Sequence, residues 1–167
     1  MWIIKYIIVL YITTISLLAQ KEIIIDLSEQ MAYAYNDGLL IMEGRISSGK
    51  IGKETPIGDY KILEKKRYHR SNLWPKPNGG ARMDYMMRLT NDGIAMHLGY
   101  VPNRPASHGC IRLKNGFAQK LFRWAKIGTP VYIEGSERDY LFEHGLISEY
   151  DDMDDIFIDD YGIEDIH

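Results

Sequence analysis

Cysteine is nearly absent from this sequence: Cys110 is the only one. No intramolecular disulfide can form, and a zinc site built mainly of thiolates is excluded. A lone thiol is then either a small buried hydrophobe or a reactive group. No internal repeat is present, and no His-Glu-x-x-His pattern of a zinc peptidase. Acid is scarce in the first 136 residues, which hold 11 Asp+Glu against 19 Lys+Arg, whereas residues 137–167 hold 12 acids and a single Arg. The net charge of −3 thus conceals a basic body and an acidic end, and its sign says little about partners. No nucleic-acid partner is expected.

The hydrophobic and charged fractions, 46% and 26%, are ordinary for a folded soluble chain and exclude wholesale disorder. A chain of 167 residues supplies one domain with extensions, enough to bury a core without disulfide staples. Residues 1–19 read as a targeting segment: one charge, Lys5, then a long apolar run ending at Ala19. Cleavage after Ala19 is the favoured reading. An uncleaved membrane anchor is the alternative, since the run approaches the roughly 20 residues that span a bilayer. Lipid attachment is excluded because Gln20 is not Cys. Either way the following domain, residues 20–136, is expected outside the cytoplasm, in the periplasm or cell envelope.

That domain reads mostly as strands. Glu22–Leu27 is apolar and β-branched, and Met31–Tyr35 runs through Asn36-Asp37-Gly38, a hairpin signal, into Leu39–Met42. Further strands are expected at Asp59–Leu63, Tyr85–Leu89, Ile94–Leu98 and Thr129–Ile133. Asn91-Asp92-Gly93 forms a second turn. Residues 64–82 are basic and rich in Pro, Gly and Asn, which predicts a long surface loop, and such loops are usually functional. Its cations and Trp74 border a donor groove in one reading and are merely solvated in the other. One helix is expected directly after the cysteine, capped by Asn115, with Phe117, Leu121, Phe122 and Trp124 inward and Gly128 as terminator. Residues 137–167 are expected to be an acidic, solvated tail, or one that docks on the basic body.

The chemistry concentrates in His97-Leu98-Gly99 and Ser107-His108-Gly109-Cys110-Ile111-Arg112-Leu113. A thiol is mostly protonated at neutral pH, so a nucleophilic cysteine needs a base or a positive field beside it. Imidazole is the natural base. Gly109 lets the backbone approach a substrate carbonyl. A helix start near Cys110 would add a partial positive charge, and Arg112 a cation able to hold a carboxylate. From spacing alone catalysis competes evenly with an inert buried cysteine, and with a zinc site drawing a further ligand from His69 or an acid.

The Ser107–Leu113 segment resembles the active-site signature of the L,D-transpeptidase catalytic domain (YkuD and ErfK/YbiS groups). Ser47-Ser48-Gly49-Lys50, Thr55-Pro56-Ile57-Gly58-Asp59-Tyr60, Gly93-Ile94-Ala95-Met96-His97 and Gly128-Thr129-Pro130-Val131 support it in order, over about residues 22–134. The resemblance implies a mainly β, sandwich-like domain with one helix following the catalytic cysteine. It implies Cys110 as nucleophile, His97 as general base and His108 near the substrate. Gly109 and Cys110 amides would form the oxyanion hole, Arg112 would be the signature arginine and Ser107 would shape the turn; Tyr85, with Trp74, is a candidate substrate contact on the strength of the basic, aromatic stretch and not of the resemblance. The resemblance further implies peptidoglycan stem peptides as donor and acceptor, and no metal or organic cofactor. Water as acceptor would give an L,D-carboxypeptidase, a protein lysine would attach a protein to the wall, and a silent wall-binding module is the rival of another class. Leu98 before Gly99, and the short Tyr100–Ala106 linker, depart from many members and bear on acceptor preference. No peptidoglycan-binding repeat module accompanies the domain.

Overall fold

The computed structural model describes residues 20–71 and 80–148. The expected targeting segment and the acids beyond 148 lie outside the described residues. Nine strands form one curled sheet. They are β1 (Lys21–Asp26), β2 (Met31–Asn36), β3 (Leu39–Ser47), β4 (Gly58–Lys61), β5 (Glu64–Lys66), β6 (Met86–Arg88), β7 (Ala95–Leu98), β8 (Ile111–Leu113) and β9 (Pro130–Glu134). Their order is β4-β9-β1-β2-β3-β8-β7-β6-β5. Strand β3 is shared: Leu39–Arg45 pair with β2, and Ile46 and Ser47 pair with β8. The sheet therefore turns over β3, and both halves feed one core. Ile23, Ile25 and Val131 come from one half and Met87, Met96 and Ile111 from the other, all fully buried.

Period-two burial explains why these segments are strands. Ile23, Ile25 and Leu27 point inward while their neighbours stay partly exposed. Asp37 and Gly38, both at positive φ, form the two-residue turn that the Asn-Asp-Gly signal predicted.

The structure adds two strands to the expected set. Residues 64–66 pair with β6, and Arg70 bridges to Arg82, so the basic stretch begins as paired strand rather than open loop. Ile111–Leu113 was too short to stand out as a strand.

Helix α1 (Phe117–Trp124) follows the cysteine after β8. Gly116 holds the cap position, and its N–H is taken by Asn115 Oδ1 at 3.0 Å and Gln119 Oε1 at 2.6 Å. The helix ends at Ala125, before Gly128. Two lysines bind its final carbonyls: Lys21 Nζ donates to Trp124 O at 2.9 Å, and Lys65 Nζ to Phe122 O at 2.6 Å and to Ala125 O. Cations there also oppose the negative end of the helix.

A second helix, α2 (Glu137–Glu143), lies where a solvated acidic run was expected. Ser136 caps it, accepting from the Arg138 N–H at 3.1 Å. Glu137, Tyr140 and Leu141 are buried. The acids at 137, 139 and 143 masked an amphipathic turn whose apolar side is only two residues wide.

Gly49 is the tightest close approach relevant to the site. A Cβ there would stand 2.0 Å from the Lys53 carbonyl oxygen, a backbone atom that cannot swing away. Gly49→Ala is therefore expected to destabilise the domain by about 1–3 kcal/mol or more, the range of overpacking. Denaturant unfolding measures this, and an unchanged midpoint would contradict the packing.

Candidate active site

Strands β7 and β8 run parallel, with Met96 opposite Ile111 and His97 opposite Arg112. Alternation then puts Ala95 and His97 on one face of β7, and Cys110 and Arg112 on the same face next door. Cys110 immediately precedes β8 and stands beside Ala95, whose backbone N–H reaches the sulfur. The thiol also faces the Gly93 carbonyl at 3.8 Å and packs on Met83, Met86 and Ala95. The register makes His97 and Cys110 diagonal neighbours. It brings together the two residues that the sequence pairs as base and nucleophile.

His97 is 8% exposed. Its Nδ1 lies 2.8 Å from the Leu98 carbonyl oxygen. A carbonyl can only accept, so Nδ1 carries the proton and Nε2 is left as the basic nitrogen. Burial pushes the imidazole pKa down to about 4; the Leu98 contact resists this, and the charges of Arg112 and His69 reinforce it. Burial likewise pushes the Cys110 thiol up, against the smaller pull of the Ala95 amide and Arg112. The resting pair is thus a neutral thiol beside a neutral imidazole. Strand β8 and Lys114–Gly116 separate Cys110 from α1, and the Gly116 amide is already bound.

The turn before Cys110 is held at several points. The buried Ser107 hydroxyl donates to the Cys110 carbonyl and accepts from the Gly109 N–H at 3.1 Å. Ser107 thus shapes the turn as expected of it. The Gly109 amide, expected as an oxyanion donor, is occupied by that hydroxyl, so of the two expected amides only that of Cys110 lies outside the Ser107 contact. Gly109 sits at φ 107°, where a side chain would be strained and its Cβ would meet Ile94 Cδ1 at 3.0 Å. The Ser48 carbonyl accepts from Ala106 N–H at 3.0 Å and Ser107 N–H at 2.9 Å. Thr55 Oγ1 donates to the Gly109 carbonyl at 3.0 Å and accepts from the Gly49 N–H at 2.8 Å. Thr55 and Ser48 were visible in the sequence only as family-like motifs. Their function as struts follows from the hydrogen bonds.

His108 is exposed beside the thiol turn, and Arg112 is half-buried, its stem against Gly99. The Tyr85 ring packs edge-on against Phe122, with ring centroids 5.6 Å apart. Of the basic stretch, residues 72–79, Trp74 among them, lie outside the described residues, and three of the described cations make contacts of their own. Lys65 caps α1, Lys66 pairs with Glu64 at 2.8 Å, and Arg67 lies over Tyr68. Among the described residues, no three His, Cys, Asp or Glu lie together so as to hold a metal ion.

The low His97 pKa gives a direct prediction. Between the ordinary histidine value of about 6.5 and about 4, the unfolded chain binds a proton that folded His97 refuses. Stability from this group is full above 6.5 and falls as pH drops, by up to about 3 kcal/mol at pH 4. Imidazole NMR should show His97 neutral, Nδ1-protonated and unchanged from pH 8 to 5. A midpoint at or above 6.5 would contradict the burial.

The L,D-transpeptidase catalytic domain family matches residues 20–133. A search of curated protein sequences returns no significant match. Among solved structures, the chain is similar to an L,D-transpeptidase from Mycobacterium smegmatis, at 22% identity and TM-score 0.63, covering 70% of this chain and 59% of that one. It is similar to L,D-transpeptidase 3 from Mycobacterium tuberculosis in complex with a faropenem-derived adduct, at 24% identity and TM-score 0.61, covering 70% and 60%. An Enterococcus faecium L,D-transpeptidase variant is 26% identical, with TM-score 0.60 and coverage of 69% and 50%. The chain thus spans about half to three fifths of the length of these structures, and the first two likenesses concern the fold. The mainly β curled sheet and the match over two thirds of the sequence together mean that this chain belongs to the L,D-transpeptidase catalytic domain family.

Proposed function

We propose that this chain is a cysteine acyltransferase acting on peptidoglycan stem peptides, an L,D-transpeptidase of cell-wall crosslinking or remodelling. The observation that carries the reading is the parallel β7–β8 pair, which sets Cys110 diagonally beside His97 while Leu98 fixes the tautomer that leaves Nε2 basic. In this reading Cys110 Sγ attacks the carbonyl preceding the terminal D-residue of a tetrapeptide stem, and His97 Nε2 takes the thiol proton. The Cys110 amide steadies the oxyanion. His97 returns the proton to the leaving amine as the C–N bond breaks, giving a thioester. An acceptor amine then attacks the thioester, loses a proton to His97 and forms the new amide. The proton returns to the departing thiolate. No redox change and no metal enters this cycle.

The neutral resting pair favours proton transfer during attack over a preformed thiolate. It requires only that His97 be unprotonated, which its low pKa secures down to about pH 4–5. His108, exposed at the turn, and the half-buried Arg112 are suited to meeting the anionic stem rather than to taking the thiol proton. The wall substrate implies an extracytoplasmic location, with residues 1–19 as signal or membrane attachment. Among the described residues no helix is long and apolar enough to cross a membrane.

Incubation with purified disaccharide-tetrapeptide, read by mass, tests the reading. A crosslinked dimer supports transpeptidation, a tripeptide product with no crosslink shifts the reading to an L,D-carboxypeptidase, and no product favours a silent binding module. Cys110→Ser should abolish acylation by several orders of magnitude with the fold intact. His97→Ala should slow acylation by about 10²–10⁴-fold, more than His108→Ala. Stopped-flow acylation by a carbapenem ranks the variants, a choice prompted by the similar L,D-transpeptidase structure in complex with imipenem. A slower His108→Ala variant would reassign the base.

A further inference from the structure

Helix α2 begins after the last residue of the family match, yet its first residue is buried against the struts of the thiol turn. Glu137 is 4% exposed. Its Oε1 accepts from the Thr55 N–H at 2.9 Å, and its carboxylate also accepts from the Ser48 hydroxyl and from its own N–H. Three donors converge on it, so an acceptor-only group satisfies them all, whereas an amide would bring two donors of its own. A carboxylate is costly to bury without such partners. Its place here therefore indicates a network that needs it.

We propose that Glu137 is a positioning residue for the catalytic turn. One carboxylate grips Ser48 and Thr55 together, and each of these holds the segment that carries Cys110. Ser48 does so through its carbonyl, which accepts from Ala106 and Ser107. Thr55 does so through its hydroxyl, which donates to the Gly109 carbonyl. Gln30 completes the hub from β2's side, donating to Ser48 Oγ at 2.8 Å and accepting from the Ser48 N–H at 3.0 Å. The same helix makes another attachment: Tyr140 Oη donates at 2.6 Å to the carbonyl of Asn103, within the crossover that leads to the turn. The first part of the acidic segment is thus a brace of the site and not a solvated extension. The inference rests on Cys110 as the nucleophile, because a positioned turn matters only if the thiol acts.

The full chain bearing Glu137→Ala, Glu137→Gln or Glu143→Ala distinguishes the two ideas. Hydrogen exchange of peptides covering 104–113 reports the turn without any turnover, and carbapenem acylation of Cys110 reports the chemistry. Glu137→Ala should speed exchange selectively across 104–113 and lower the saturating acylation rate about 10- to 100-fold, the scale expected for a displacement near 1 Å. The apparent binding constant should stay within about twofold, since no substrate contact is lost. Glu137→Gln, which keeps an oxygen for Thr55 but meets the remaining donors with an NH2, should recover only part of the rate, and exposed Glu143→Ala should match wild type. Unchanged exchange and rate in Glu137→Ala would overturn the proposal. So would a rate loss in which exchange rises over the whole domain and Gln rescues nothing, the mark of general destabilisation. Failure of wild type to acylate, with the selective exchange still seen, would strike the acyltransferase reading and leave the brace standing.

Discussion

Two strands that run the same way cannot be joined by a tight turn, and β7 and β8 are joined by residues 99–110 with no helix between them. The parallel pairing puts His97 and Cys110 on one face. It also creates a difficulty, because a crossover this long has backbone groups that must find partners where they leave solvent. The chain meets this with a second irregular segment laid alongside. Ser47 Oγ donates to the Arg104 carbonyl at 2.8 Å, Ser48 accepts from Ala106 and Ser107, and Lys50 N–H donates to the Ser107 carbonyl at 3.0 Å. Gly49 must be glycine for that segment to double back on Lys53. Thr55 then closes the ring onto Gly109. The thiol turn is a supported irregularity, and its geometry follows from hydrogen bonds made by the segment from Ser47 to Thr55.

Burial of the site sets its electrostatics. The same low-dielectric surroundings that depress the imidazole pKa raise that of the thiol, so both groups rest uncharged. Arg112 partly counters the effect on the thiol and adds to that on the imidazole. In the proposed mechanism a neutral pair makes attack depend on an ordered proton path from Sγ to Nε2, and the Leu98 contact and the bonds that converge on the turn fit that requirement. Position, rather than a standing thiolate, is what such a site must supply.

Much of this was legible in the sequence, for identifiable reasons. Cys110 and His97 stood out through an unusual motif, β1 through its β-branched apolar run, and β2 and β7 through the turn signals beside them. The Asp37-Gly38 turn announced itself by residue type. The less visible parts were those fixed by tertiary contact. Three residues of β8 carry too little pattern to outweigh the helix that follows. Lys65 looked like part of a substrate-facing charge run, but its stem crosses to the end of α1. The edge-on contact of Tyr85 with Phe122 likewise depends on tertiary packing that no local pattern announces. Glu137 was concealed most completely, since among 12 acids in 31 residues nothing in the sequence distinguishes the one that is buried.

The claim on which the account turns is that a covalent bond forms at Cys110. Acid-quenching the full chain during turnover of disaccharide-tetrapeptide, followed by peptide mapping, tests it most directly. The account predicts a thioester on the peptide containing Cys110, with the mass of the donor less its terminal D-residue, and its disappearance when an acceptor amine is added. Product formation with no adduct, or an adduct on any other residue, would contradict it.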